Sequence, residues 1–217
     1  LPDRWQEYLW LQFQKYDSIP EENAQQRFWW SNARDLWKQW RFFHWDIEFP
    51  DVFDSSRIEL EDASAPLAAG FDAMFGNPPY VRMELLKPIK HYLQSVFPNT
   101  HTDRADLFIY FYERTLNLLR PGGLFSFISS STYMKTGSGS GIRKLLAEKA
   151  AIRDVIDFGD LPVFKGVTTY PAIVIVENRP PEPEHEIRAV VMPDLEDTDI
   201  VDKLKTIGIN VPQNTLD

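Results

Sequence analysis

The sequence predicts an α/β fold in which helices cover a sheet whose last strand is antiparallel, preceded by aromatic-rich helices. Three observations predict it. Short apolar runs bounded by glycine or proline alternate with longer amphipathic runs through residues 71–177. The turns between them are short. The last two apolar runs, Ile152–Phe158 and Ala172–Glu177, have no helical stretch between them, so they can pair antiparallel, whereas a parallel pair would need a long crossover.

The elements follow in order. All seven tryptophans (Trp5, Trp10, Trp29, Trp30, Trp37, Trp40 and Trp45) fall in the first 45 residues. Trp5, Tyr8, Leu9 and Phe13 keep helical spacing, as do Trp30, Ala33, Trp37 and Trp40. Two amphipathic helices are predicted, parted at Asp17-Ser18-Ile19-Pro20, with Ser18 or Ser31 available as a cap. Their aromatics read as packing surface; basic residues do not interleave them as a base-stacking platform requires. From His44 to Pro66 the chain turns loop-like, with Arg57–Glu61 alternating as a short edge strand would.

Phe71–Phe75, between Gly70 and Gly76, suits a buried strand, and Asn77-Pro78-Pro79-Tyr80 ends it because neither proline supplies an N–H. Leu85, Leu86, Ile89, Tyr92 and Leu93 suggest a helix within 81–100. Ala105–Leu119 is a long periodic helix, with Asp103 near its start and Arg120 near its end as the helix dipole prefers, stopped by Pro121-Gly122-Gly123. Strand Leu124–Ser129, a Gly/Ser segment at Gly137–Gly141, helix Ile142–Ala150 and the two closing strands complete the unit. Beyond Asn178 the chain is rich in proline and acid, with a strand at Ile187–Met192 and a weak helix at Ile200–Ile207. The expected division is an aromatic-rich helical segment (1–43), a central α/β unit (44–180) and an acidic linker leading onward (181–217).

The chain has 217 residues and a formal net charge of -9. Residues 1–70 hold 7 basic and 13 acidic side chains, residues 71–180 hold 13 and 10, and residues 181–217 hold 3 and 9. A mildly basic centre between acidic flanks keeps a polyanionic partner open, because local field matters more than the total. With no cysteine, thiolate metal sites and disulfides are excluded, and four scattered histidines make a histidine metal site poor. No apolar run approaches the ~18–20 residues of a bilayer span, and no signal peptide opens the chain, so a cytoplasmic protein is expected.

Asn77-Pro78-Pro79-Tyr80 is the sharpest local feature, at the carboxyl end of a predicted parallel strand where open α/β sheets place their sites. Asparagine offers a carbonyl acceptor and an NH2 donor, proline leaves its carbonyl free, and tyrosine stacks on flat rings. The loop therefore suits an amino group on a stacked ring. It equally suits a plain structural turn.

The loop, preceded by Phe71-Asp72, resembles motif IV of the N6-adenine DNA methyltransferases. The phrase His44–Phe53 resembles the stretch before that motif in the Eco57I-like fused type II restriction–modification enzymes. Ala105-Asp106-Leu107, Leu119–Gly123, Ile156–Phe164 and Thr168–Pro171 resemble the same family in the same order, reaching motif VIII. The resemblance spans residues 44 to about 212 and implies part of an S-adenosylmethionine-dependent methyltransferase (Rossmann-like) sheet, with about four strands in the family's order 4-5-7-6.

It further implies that Asn77, Pro78, Pro79 and Tyr80 form the catalytic loop. The Asn77 side-chain carbonyl and the Pro78 backbone carbonyl would accept from the adenine N6 amine, and Tyr80 would stack on a base taken out of the duplex. Phe164 would be a second aromatic wall or a core phenylalanine. The implied methyl donor is S-adenosylmethionine, and no metal is implied.

The family's glycine-loop cofactor motif has no counterpart before Phe71. Gly137–Gly141 follows motif IV and reads as a mobile surface loop or a replaced one. The expectation is a fragment cut at both ends, holding the target-base half of the domain and inactive alone. Its partners would be DNA with a flipped adenine and the missing cofactor and target-recognition regions, and one bare sheet edge would favour self-association. A non-catalytic module of the same fold, or a methyltransferase acting on RNA or protein glutamine, stand as alternatives.

Overall fold

The computed structural model describes residues 31–32, 35–36, 38–39, 43–53, 68–166, 169–195 and 200–215. The chain parts into two compact units, Leu1–Leu67 and Ala68–Asp217. The division expected at 43/44 and 180/181 therefore falls elsewhere: His44–Phe53 belongs to the first unit, and residues 181–217 to the second.

In the first unit, Ser31, Asn32, Asp35, Leu36, Lys38 and Gln39 are helical, so Ser31 lies within the second predicted helix and does not precede it as a cap. The first predicted helix, the Arg57–Glu61 strand and every tryptophan except Trp45 fall outside the described residues. Where a loop was expected, α1 (Trp45–Glu48) and α2 (Pro50–Phe53) form single turns, the second opened by a proline whose fixed φ and missing N–H suit the first helical position. Trp45 stacks on Phe49 at 5.9 Å, and Phe43 meets its edge at 4.9 Å. That tryptophan does pack, and against its own segment.

The second unit carries a six-stranded sheet. Its strands are β1 (Phe71–Gly76), β2 (Leu119–Ser130), β3 (Ala151–Asp157), β4 (Pro171–Glu177), β5 (Glu186–Val191) and β6 (Ile209–Pro212). The spatial order is β1-β2-β4-β3-β5-β6. β1 runs parallel to β2, and β4 runs antiparallel to both β2 and β3. The first four strands thus take the expected order, with the antiparallel strand between its neighbours.

The acidic tail is not a linker. β5 joins β3 in parallel, α6 (Ile200–Thr206) crosses over, and β6 closes on β5 antiparallel. β6 escaped sequence reading because four residues with two apolar side chains carry too short an alternation. Gln213, just beyond it, is buried; its side chain accepts from the Ile152 amide at 2.8 Å and donates to the Ala150 and Leu146 carbonyls at 2.7 and 3.2 Å.

Three helices cover the sheet near the candidate loop or beside it. A 3₁₀ helix, Met83–Ile89, leads into α3 (Lys90–Val96). The single predicted helix is split this way because Pro88 can donate no ladder bond. α4 (Leu107–Leu118) buries Phe108, Ile109, Tyr112, Leu116 and Leu118, and α5 (Ser140–Lys149) buries Ile142 and Leu146. They pack on Phe125, Phe127, Ile152, Val174 and Val176 in the main core. Ile156, Phe158, Val190, Met192 and Leu204 form a second, smaller one.

The stop after α4 differs from expectation. Arg120-Pro121-Gly122-Gly123 is already strand, bulged between Phe71 and Ala73, with Gly122 at φ 77. Arg120 does not serve the helix dipole: its Nε reaches Asp72 Oδ1 at 2.7 Å across the sheet. Asp103 pairs with Lys90 at 2.8 Å.

The Gly/Ser segment is knit rather than loose. It forms a 3₁₀ turn, Gly137–Gly139, running into α5. A Cβ on Gly139 would lie 2.0 Å from the Tyr133 carbonyl oxygen, and one on Gly141 2.7 Å from the Asn99 carbonyl oxygen. These glycines allow close backbone approach.

Candidate functional site

Gly76 is the last residue of β1 and pairs with Phe127, so Asn77-Pro78-Pro79-Tyr80 emerges beside the carboxyl end of β2. The site thus sits where parallel strands end and the first antiparallel strand, β4, begins beside them. Ser131 N donates to Tyr170 O at 2.6 Å, which ties the β2 exit to the entry of β4.

Within the loop the polar groups divide sharply. Pro79 O accepts from Val81 N at 3.1 Å. Among the described residues, neither the exposed Asn77 carboxamide nor the carbonyl of buried Pro78 has a hydrogen-bond partner. Two adjacent acceptors are therefore free, and the proline rings fix φ on either side of the second one.

Tyr80 is fixed by three neighbours. Its hydroxyl donates to the Ile128 carbonyl at 3.2 Å. Its ring lies 6.0 Å from Phe108, inclined by 48°, and 6.5 Å from Phe164, inclined by 65°. Partial burial raises the phenol's pKa, so the hydroxyl remains a donor at neutral pH. Although held in this way, the residue keeps 37% of its surface exposed.

Phe164 arrives on the loop after β3. Asp157 Oδ1 accepts from Gly159 N at 2.9 Å, and Gly159 turns the chain at φ 55. Leu161 and Val163 pack into the smaller core, while Phe164 is half-buried against Tyr80. All five sequence-singled residues therefore converge on one spot. The angle between Tyr80 and Phe164 is an edge contact, so in this geometry the two rings do not form parallel walls of a slot.

Sequence reasoning missed the buried backing. Phe108, 1% exposed, stands between Tyr80 and Tyr133, whose ring lies 6.0 Å beyond it. Tyr133 meets Tyr112 at 5.6 Å, and Tyr112 OH pairs with Ser129 Oγ at 2.8 Å. Burial pushes the Tyr112 hydroxyl up to about 12, against the pull of Ser129 and Tyr133. The signal was available in the aromatic run after Ala105-Asp106-Leu107.

Among the described residues no group of three His, Asp or Glu side chains could hold a metal, and no helix is long and apolar enough to cross a membrane. The described residues also do not fit an adenosyl cofactor at the glycine segment: Gly139 and Gly141 are filled against by Tyr133 and Asn99 backbone, leaving no cradle.

The sequence profile of the Eco57I restriction-modification methylase family matches residues 6–164. The type II methyltransferase M.XhoI of Xanthomonas vasicola is 39% identical over 132 residues, covering 60% of this chain and 24% of the relative. M.PaeR7I of Pseudomonas aeruginosa is 42% identical over 114 residues, 52% of this chain and 20% of the relative. The restriction enzyme and methyltransferase RM.Eco57I of Escherichia coli is 28% identical over 60% of this chain and 13% of the relative. The chain thus spans about a quarter or less of these relatives' length. A Listeria monocytogenes structure described as a class I S-adenosylmethionine-dependent methyltransferase aligns over 66% of this chain and 44% of its own, with a TM-score of 0.51 at 16% identity. That likeness establishes the fold, part of a methyltransferase-type α/β sheet.

Proposed function

The chain belongs to the Eco57I restriction-modification methylase family, and from that premise we propose that it is the target-base side of a DNA methyltransferase acting on adenine N6. One observation carries the reading. The Asn77 side-chain carbonyl and the Pro78 carbonyl are adjacent and unpaired, the second held between two proline rings, beside an exposed Tyr80 ring tied at its hydroxyl. The names of the relatives, type II methyltransferases and a fused restriction enzyme, agree with it.

An exocyclic amine on an aromatic ring is a poor nucleophile, because its lone pair is delocalised into the ring. Two acceptors, one for each N–H, draw the hydrogens out of the ring plane and localise the pair. Tyr80 holds the ring by stacking, worth ~1–3 kcal/mol per base, against a few kcal/mol to extrude it from the duplex. Phe164 bounds the base at its edge. S-adenosylmethionine, as methyl donor, supplies the electrophilic carbon. The residues of this chain act on the acceptor alone: they bind it, orient it, and accept hydrogen bonds from its amine, whose surplus proton passes to solvent water once the nitrogen carries the methyl group.

The remainder of the parent polypeptide, we infer, binds the donor and reads the DNA sequence. Asn77→Ala in the full-length protein tests the reading. Methyl transfer should fall about 100-fold or more, by analogy with the loss of one preorganised charge-stabilising group, while DNA affinity stays within a few-fold. Retention of the transfer rate in that variant contradicts the proposal.

A further inference from the structure

We infer that the first turn of α4 is the mount of the Asn-Pro-Pro-Tyr loop, with Phe108 as a positioning residue for Tyr80 and the acceptors before it. The inference rests on the reading above and adds a residue that the loop itself does not contain.

A backbone clamp holds the loop's exit: Leu107 N donates to Val81 O at 2.8 Å. Leu107 is the first residue of α4, so the start of that helix is joined directly to the residue after Tyr80.

The second clamp is apolar. Phe108 is 1% exposed and lies 6.0 Å from Tyr80, with Tyr133 at 6.0 Å behind it. Tyr133 in turn sits on the 3₁₀ turn Ser131–Met134, where Arg143 donates to the Tyr133 and Thr136 carbonyls, each at 2.7 Å. Tyr80 is therefore held along its length: the main chain just past it by α4's first turn, its ring by Phe108, and its hydroxyl by Ile128. Positioning to a fraction of an ångström matters because a misplacement of ~1 Å can cost about 100-fold in rate.

The test uses the full-length protein with Phe108→Leu and Phe108→Met. A DNA duplex carrying 2-aminopurine in place of the target adenine reports base stacking directly. Each variant should lower kcat about 10-fold, change the 2-aminopurine emission of the complex, and leave the affinity for S-adenosylmethionine within twofold. Rates within twofold of the parent, with unchanged emission, would overturn the inference. Should Phe108→Leu fail to fold, Phe108→Met, which keeps most of the buried volume, decides. Asn77→Ala, measured in parallel, separates the two claims: its full activity contradicts the methyltransferase reading itself.

Discussion

In the proposed reaction the residues of the loop have separate tasks. Asn77 and Pro78 present acceptors, and Pro79 and Val81 close a bond that keeps the turn from using them. Tyr80 differs, because its ring and its hydroxyl act separately. Tyr80→Phe should keep stacking and lose only the bond to Ile128, worth ~1 kcal/mol, so kcat/KM should fall by less than about 10-fold. Tyr80→Ala should cost about 10- to 100-fold in binding of the extruded base. Behind them, Tyr112 links the site to stability. Its hydroxyl is held at about 12 by burial, against an ordinary 10.0 when unfolded. In the window between those values the unfolded chain has lost a proton that the folded chain retains. Stability is thus intact below pH 10 and falls by about 3 kcal/mol as pH rises through 12. Urea unfolding at pH 9 and pH 11 should show a smaller decline in Tyr112→Phe than in the parent.

Elements were legible wherever local pattern and tertiary demand agreed. β1, β3, β4 and α5 fell within a residue or two of their expected bounds, since each is an apolar run between clear breakers. Where the two conflicted, the sequence misled. Pro121-Gly122-Gly123 reads as a stop, but pairing with β1 carries the strand through it with a bulge. Gly137–Gly141 reads as loose, because nothing local reveals which glycines meet backbone. Substitution distinguishes them. Gly137→Ala, with open space around it, should change stability by less than about 0.5 kcal/mol. Gly139→Ala, forced against Tyr133, should cost about 2 kcal/mol or more. Equal melting temperatures for the two variants would mean that the segment is not packed as described. The site's motif residues were legible one by one; Phe108 and the Ile128 carbonyl were not, because their contacts with Tyr80 arise only when the chain folds.

At the scale of the whole molecule, the distribution of charge is compatible with the polyanionic partner proposed above. The net charge of -9 is concentrated at the two ends, while residues 71–180 carry a balance of +3 around the site. The sheet's outer strand β1 presents Phe75 with 88% of its surface exposed. We expect this edge to be covered in the parent protein, and the isolated 217-residue chain to self-associate through it. Phe75→Lys should lower the sedimentation coefficient of the isolated chain. The central claim, that the free acceptors of Asn77 and Pro78 receive an adenine amine, is tested most directly by the modified nucleoside itself. DNA incubated with the full-length protein and S-adenosylmethionine should yield N6-methyladenine on nucleoside mass spectrometry, and the Asn77→Ala protein should yield almost none. Methylation of cytosine instead, or undiminished N6-methyladenine from Asn77→Ala, would contradict the account.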